Sequence, residues 1–313
     1  MTPRDLGAPS RGVRRYSFSL QSVLASNEVG LLAVIVAFAV LFAYANPGFT
    51  SPFNLYALSR VLAIDVVIGF SMMVVLVTGG LNLAVGSIAV SAVMFGGYLM
   101  QIVGLPIPIA VFLAIAFGAG LGWINGFLTV KMQVHSFIVT LATMSIFFGA
   151  MILATQADAF NELPRPFIGF GKERVFGFVS ILLFVALAVW FALFVLFHLT
   201  GLGRELLAAG ANPAASRISG VRVDRATIIC HTLSGGLATL AGLMLTMRNG
   251  AALPSMAGHI GADWLLPAFL APVLGGTLLT GGIVSVTGTL LGATLVTVLT
   301  NGLLQLQIGE FWV

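Results

Sequence analysis

Residues 203–220 read GRELLAAGANPAASRISG, a polar, small-residue island in a chain that is otherwise almost wholly compatible with hydrocarbon. The chain is organised around it, because what this island docks against determines what the apolar remainder is for. Asn212 is a good N-cap, Pro213 suits the first helical position, and Gly220 falls where a left-handed residue would end the helix. These signals predict about two turns over Pro213–Ser219. Ala214, Ala215 and Ile218 then share one small, apolar side, and Ser216 and Arg217 are expected to face water. So short a helix is unstable alone in water, so a partner or the neighbouring membrane helices must hold it; a small-residue face suits close docking in a groove. An ordinary polar loop between two spans accounts for the same spacing equally well, since capping signals occur in many loops.

The composition sets the class. Of 313 residues, 59% are hydrophobic and 8% charged, and the mean hydropathy is +1.08, values of a polytopic membrane protein. The formal charge of +4 is scattered between apolar runs, so it reports topology and does not mark a nucleic-acid binder. One cysteine, Cys230, excludes an internal disulfide and reads as a small packed hydrophobe. His135, His198, His231 and His259 are far apart with no pair at metal-ligand spacing, so neither metal nor cofactor is expected. The first long apolar run, from about Gly30, is too long for a cleavable leader.

Apolar runs near 29–45, 61–78, 83–103, 107–130, 137–155, 178–199, 227–248, 264–279 and 283–306 predict nine spans of an all-α helical bundle. Residues 1–28 form a basic N-terminal tail and residues 29–313 the transmembrane domain, with a long polar loop at 200–226. With the tail inside, Arg4, Arg11, Arg14, Arg15, Lys131, Arg204, Arg217, Arg222 and Arg225 are cytoplasmic. Arg60, Arg165, Lys172, Arg174 and Arg248 are outside. Nine inside against five outside supports that orientation and puts the 200–226 loop in the cytoplasm. Small residues such as Gly118, Gly122 and Gly126 predict close helix packing.

Several motifs recur in order along the chain. The corner Thr78-Gly79-Gly80-Leu81-Asn82-Leu83-Ala84-Val85-Gly86-Ser87 joins the second and third spans. Non-helical backbone at that depth must be buried in protein or line a cavity. Asn125-Gly126 and Ser136-Phe137-Ile138-Val139-Thr140 follow, then Leu274-Gly275-Gly276-Thr277 with Gly281-Gly282, and finally Asn301-Gly302-Leu303. Together with Gly203, Ala209, Gly210, Asn212, Pro213, Ala214, Ala215, Ile218 and Gly220, these resemble the permease subunits of ATP-binding-cassette importers. They are most similar to the branch that carries ribose, xylose and related monosaccharides, over about residues 47–303.

That resemblance implies a multi-pass protein of the bacterial inner membrane, working as a homodimer among membrane lipid. Its 203–220 segment would be the coupling loop seated on an ABC ATPase subunit, and its outer face would receive a periplasmic substrate-binding protein. The sequence departs from the pattern in having Asn82 and Ala84 where an aspartate and a serine are commoner, so an ionic role there is not expected, although an amide can still cap the following helix. The family usually has ten spans, and the chain stops at Glu310-Phe311-Trp312-Val313, which reads most simply as a missing last helix.

No enzyme constellation is present. Gly171-Lys172 lacks the upstream glycine and the following Ser or Thr of a phosphate loop, and no acidic pair has general acid/base spacing on one helix. Asp158, Glu162, Arg165, Lys172, Glu173 and Arg174 crowd one outer loop, either solvated or docking a binding protein. Asp65 lies inside a span, where a carboxylate must face the bundle interior or water. It is a candidate for the translocation path, as are Asn82 and Asn125; for Asn125, His231, Ser234, Thr239 and Asn301, helix-to-helix hydrogen bonding is the simpler role. The remaining readings are a permease for branched-chain amino acids or nucleosides, an ATPase-independent carrier, which would want repeated intramembrane carboxylates, and an intramembrane enzyme.

Overall fold

A computed structural model describes residues 27–256 and 258–307. The tail arginines Arg4, Arg11, Arg14 and Arg15, and the Glu310–Val313 end, lie outside the described residues. With no water in hydrocarbon to satisfy backbone groups, the apolar runs must close their hydrogen bonds internally, and they do so as helices. These are α1 (Asn27–Ala45), α2 (Pro52–Leu76), α3 (Val85–Gln101), α4 (Ile107–Met132), α5 (Ser136–Thr155), α6 (Arg165–Lys172), α7 (Ile181–Leu199), α8 (Gly201–Ala211), α9 (Pro213–Ile218), α10 (Val223–Asn249), α11 (Leu265–Leu274) and α12 (Val286–Gln305). The small sheet is a hairpin, β1 (Arg174–Val175) antiparallel to β2 (Val179–Ser180), with Arg174 opposite Ser180. The chain is an all-α, multi-pass membrane protein. Among the described residues seven helices, α1, α2, α4, α5, α7, α10 and α12, are long and apolar enough to cross a membrane, while α3 and α11 are shorter.

The core forms where α10 packs between α4, α2 and α3. Hydrophobicity does not drive helices together in lipid, so close backbone packing must. Gly118, Gly122 and Gly126 recur every four residues on one face of α4, against Gly235, His231 and Ile228 of α10. A Cβ at Gly122 would overlap the His231 carbonyl, so the two helices meet backbone to backbone.

The two shorter apolar helices each follow a non-helical break. Past the C-terminal end of α2 the chain reaches Gly79, whose backbone approaches Thr280, and then doubles back to Asn82. Asn82 is bonded to Ser234, eleven residues and about 17 Å along α10 from Val223. α3 therefore begins level with the middle of α10. Beyond α10, which ends at Asn249, the chain reaches a 3-10 turn, His259–Trp264, where Gly261 touches Gly86 of α3, and α11 follows. The two shorter helices start where those glycines meet.

Two boundaries differ from the hydropathy reading. The second span begins at Pro52, not near 61. Ser51 caps it by accepting from the Asn54 amide at 3.3 Å, and Asn54 and Ser59 are buried in protein, so this turn needs no apolar sequence. The 264–279 run is helical only as far as Leu274, where Gly275, Gly276 and the corner that follows end it.

Candidate coupling and translocation sites

The 200–226 segment folds as two helices. Thr200 caps α8 by accepting from the Gly203 amide at 3.1 Å, a helix the sequence reading left as loop. Asn212 caps α9 as expected, its Oδ1 accepting from the Ala215 amide at 3.0 Å, and Gly220 adopts the left-handed φ of 85°. The helix ends at Ile218, one residue earlier than predicted. Ala214, Ala215 and Ile218 are exposed, Ile218 at 89%. Ser216 does not face water. The tight α8–α9 turn brings it under the C-terminal carbonyls of α8, and its Oγ donates to Ala208 O at 2.7 Å, a second bond on a carbonyl that also accepts from Asn212 N at 3.2 Å. Arg217 and Asp224 form an exposed ion pair at 3.0 Å.

The inward side of this hairpin is tied to the membrane helices. Gly203 packs on the Leu196 carbonyl, and Gly203, Ala209 and Gly210 are buried. Gly210 lies against the Val77 carbonyl and the Gly282 amide, and Gly282 N donates to Val77 O at 2.9 Å. Three separate segments, 77–80, 210–211 and 280–282, thus share one junction beyond the C-terminal end of α2.

The corner after α2 is satisfied by neighbouring side chains. Leu81 N donates to Ser136 Oγ at 2.8 Å, and Leu83 N to Thr140 Oγ1 at 3.0 Å. This is where two sequence motifs, far apart in the chain, meet. Asn82 is fully buried; its Nδ2 donates to Ser234 Oγ at 2.9 Å and its Oδ1 accepts from Ala84 N at 3.1 Å. Ser234 also bonds Ser71. Asn125 and His231 are fully buried near the α4–α10 contact, and their side-chain polar atoms have no partner among the described residues. Thr239 bonds its own helix, and Asn301 pairs with Asn54.

Asp65 is half-buried in a pocket of about 200 Å³ between α2 and α12, with Pro267 of α11 as a third wall. Its Oδ2 accepts from Thr297 Oγ1 at 2.9 Å. Towards the Pro52 end of α2 the same two helices are clamped by an amide cluster: Asn54 and Asn301 exchange hydrogen bonds of 3.0 and 3.1 Å, and Gln305 adds a third at 3.0 Å. A larger cavity of about 550 Å³ between α3, α4 and α5 is lined by Phe95, Tyr98, Phe117, Phe147 and Phe160 and is mainly apolar. Arg174 stacks over Tyr56 at 4.3 Å and Tyr56 donates to Lys172 O at 2.8 Å, so the charged 156–180 segment is anchored on α2. Among the described residues no three His, Cys, Asp or Glu side chains group as metal ligands.

The family described as the permease component of the branched-chain amino acid transport system matches residues 51–312. The chain belongs to this family. The permease is 37% identical over 91% of its length to the ribose import permease of Bacillus subtilis, covering 86% of that protein. It is 34% identical over 91% of its length to the ribose import permease of Escherichia coli K12, covering 88% of it. It is 27% identical to the galactose/methyl galactoside import permease of the same strain, over 91% of this chain and 89% of that one. No solved structure matches. The permease is a multi-pass protein of the bacterial inner membrane, and its place is that of a transport subunit.

Proposed function

We propose that this chain is the membrane-spanning subunit of an ATP-binding-cassette importer that carries a monosaccharide of the ribose or galactose type. Its importing relatives named above, aligned along nearly their whole length, favour sugar as the cargo. The observation that carries the mechanism is the α8–α9 hairpin: it presents Ala214, Ala215 and Ile218 outward and buries Gly210 at the junction of both glycine corners. ATP would be bound and hydrolysed on a partner chain that grips α9. Closure of that partner would pull α9, and through the Ser216–Ala208 bond α8 as well. Gly210 would then shift the inner end of α2 and the corner before α12, the two helices around Asp65.

In this reading the seven long helices and the two broken segments make nine crossings, with the basic tail and the 200–226 segment in the cytoplasm. Two copies pair across the solute path, and a periplasmic binding protein delivers the sugar to the outer face. Asp65 borders the path. Asn82 serves it indirectly by holding the mid-membrane start of α3, and Asn125 sits behind the corner, where movement of Gly79–Asn82 would uncover it. The family description itself supports a second cargo, a branched-chain amino acid.

The test is uptake of labelled D-ribose, D-galactose and L-leucine by cells with and without this chain, its partner subunits present. Chain-dependent uptake of either sugar supports the reading. Uptake of leucine alone moves the cargo to the second reading, and uptake of none overturns both.

A further inference from the structure

A carboxylate midway across a membrane is tolerated where it meets water or protein, not acyl chains. Asp65 lies thirteen residues, about 20 Å, along the 25-residue α2, and Thr297 eleven residues, about 17 Å, along the 20-residue α12. Both are near mid-depth. The pocket they share is also lined by Thr300 and Asn301, and it has apolar walls from Leu58, Val61, Pro267 and Leu304.

The hydrogen-bonding capacity left over in this pocket is specific. Thr297 has one hydroxyl proton, divided between Asp65 Oδ2 and Ala293 O, so the carboxylate keeps one oxygen free and the other only partly engaged. Thr289, Thr294 and Thr297 each donate to the carbonyl four residues earlier. Thr300, on the same helix, makes no such bond among the described residues. Asn301 spends one donor and one acceptor on Asn54 and retains one of each. The volume is that of about seven waters, too open for a cation that needs several oxygens converging on one point.

We propose that this pocket is a sugar-hydroxyl site: Asp65 accepts hydrogen bonds from two adjacent hydroxyls of a monosaccharide, Thr300 and Asn301 engage a third, and the Val61–Pro267 wall receives the C–H face of the ring. The inference rests on the sugar-permease reading and gives it a location. Few bonds and partial openness suit a station on a path, where a solute must leave as readily as it enters. The amide cluster of Asn54, Asn301 and Gln305 bounds the pocket on the outer side, and the junction at Gly210 lies at the inner ends of its helices. Conformational change at either end would therefore reshape it.

The test uses the full chain in native membranes with its partner subunits, carrying Leu304→Cys as a reporter on the pocket wall. The natural Cys230 is buried and gives little background. Alkylation of the reporter by a maleimide is timed with and without D-ribose or D-galactose, with 2-deoxy-D-ribose as the analogue lacking one hydroxyl. The site predicts about threefold slowing at twice the dissociation constant, weaker protection by the deoxy sugar, and loss of protection in Asp65→Asn. Thr300→Val removes a hydroxyl without changing shape or charge, and it should weaken protection while leaving the protein monodisperse in detergent. This keeps the test informative if Asp65→Asn misassembles. Absence of protection in a chain that imports the sugar, or protection unchanged in both variants, overturns the site and leaves the permease reading standing. If the unmutated chain imports neither sugar, the reading itself fails and the site falls with it.

Discussion

Replacing Gly210 by alanine should uncouple the α8–α9 hairpin from the membrane helices. The added Cβ would fall inside the van der Waals contact of the Val77 carbonyl oxygen, 2.9 Å from the Val77 carbonyl carbon and 2.7 Å from the Gly282 amide nitrogen. All of these are backbone atoms, which cannot swing aside as a side chain would. Relief requires the α8 end to back away or the Gly282–Val77 hydrogen bond of 2.9 Å to open. Forced overpacking costs about 1–3 kcal/mol, and the lost bond adds about 0.5–1.5 kcal/mol. A penalty of about 2 kcal/mol moves an equilibrium about 30-fold, enough to disconnect the junction in most molecules without unfolding the bundle. Gly120→Ala is the matched control, because nothing lies within 4 Å of its Cβ position. The assay is paired: initial uptake rate, and thermal stability in detergent followed by size exclusion. Gly210→Ala should lower uptake about tenfold or more while the protein still elutes as a single species, and Gly120→Ala should leave both unchanged. Normal uptake by Gly210→Ala would refute the junction as the transmission route.

Other substitutions probe the same frame. Ser234→Ala removes the acceptor of the Asn82 amide, while Ser71 keeps its bond to the backbone carbonyl of residue 234; leaving a buried amide unpaired should cost about 1–3 kcal/mol, read as a lower melting temperature in detergent. Ser216→Ala removes the side-chain tie between α9 and the Ala208 carbonyl, which keeps only its bond from Asn212 N, and so loosens α9 from α8, lowering uptake and increasing protease cutting at residues 212–220. Arg217→Ala breaks only an exposed ion pair, worth about 0–1 kcal/mol, and should change stability little by the same melting assay.

How much the sequence discloses follows from whether a signal is local. α9 was legible because Asn212, Pro213 and Gly220 carry their own capping chemistry within nine residues. α8 was not, because Gly201, Gly203 and Gly210 read as loop until Leu196, Val77 and Gly282 are seen to press against two of them. The Ser216 orientation depends on the Ala208 carbonyl, which only the α8–α9 turn brings near. α2 was read short because hydropathy undervalues Asn54, Ser59 and Arg60, which bond protein and not lipid. The breaks near α3 and α11 were visible as glycine strings, but hydropathy windows ran through them, giving 83–103 and 264–279 where the helices are Val85–Gln101 and Leu265–Leu274. Asp65 stood out as a carboxylate in an apolar run. Its pocket did not, since Thr300 and Asn301 arrive from the far end of the chain.

The most direct measurement of the central claim is co-purification of the full-length permease in detergent with the ATPase of a sugar importer, compared with Ala215→Glu. Ala215 is exposed on the small face of α9, so the substitution should leave the bundle intact while placing a charge where a groove would close over it. The account predicts that the unmutated chain retains the ATPase through size exclusion and Ala215→Glu loses it, with equal yields of folded permease. An ATPase retained equally by both would contradict docking through α9, and a chain that captures none would contradict the importer itself.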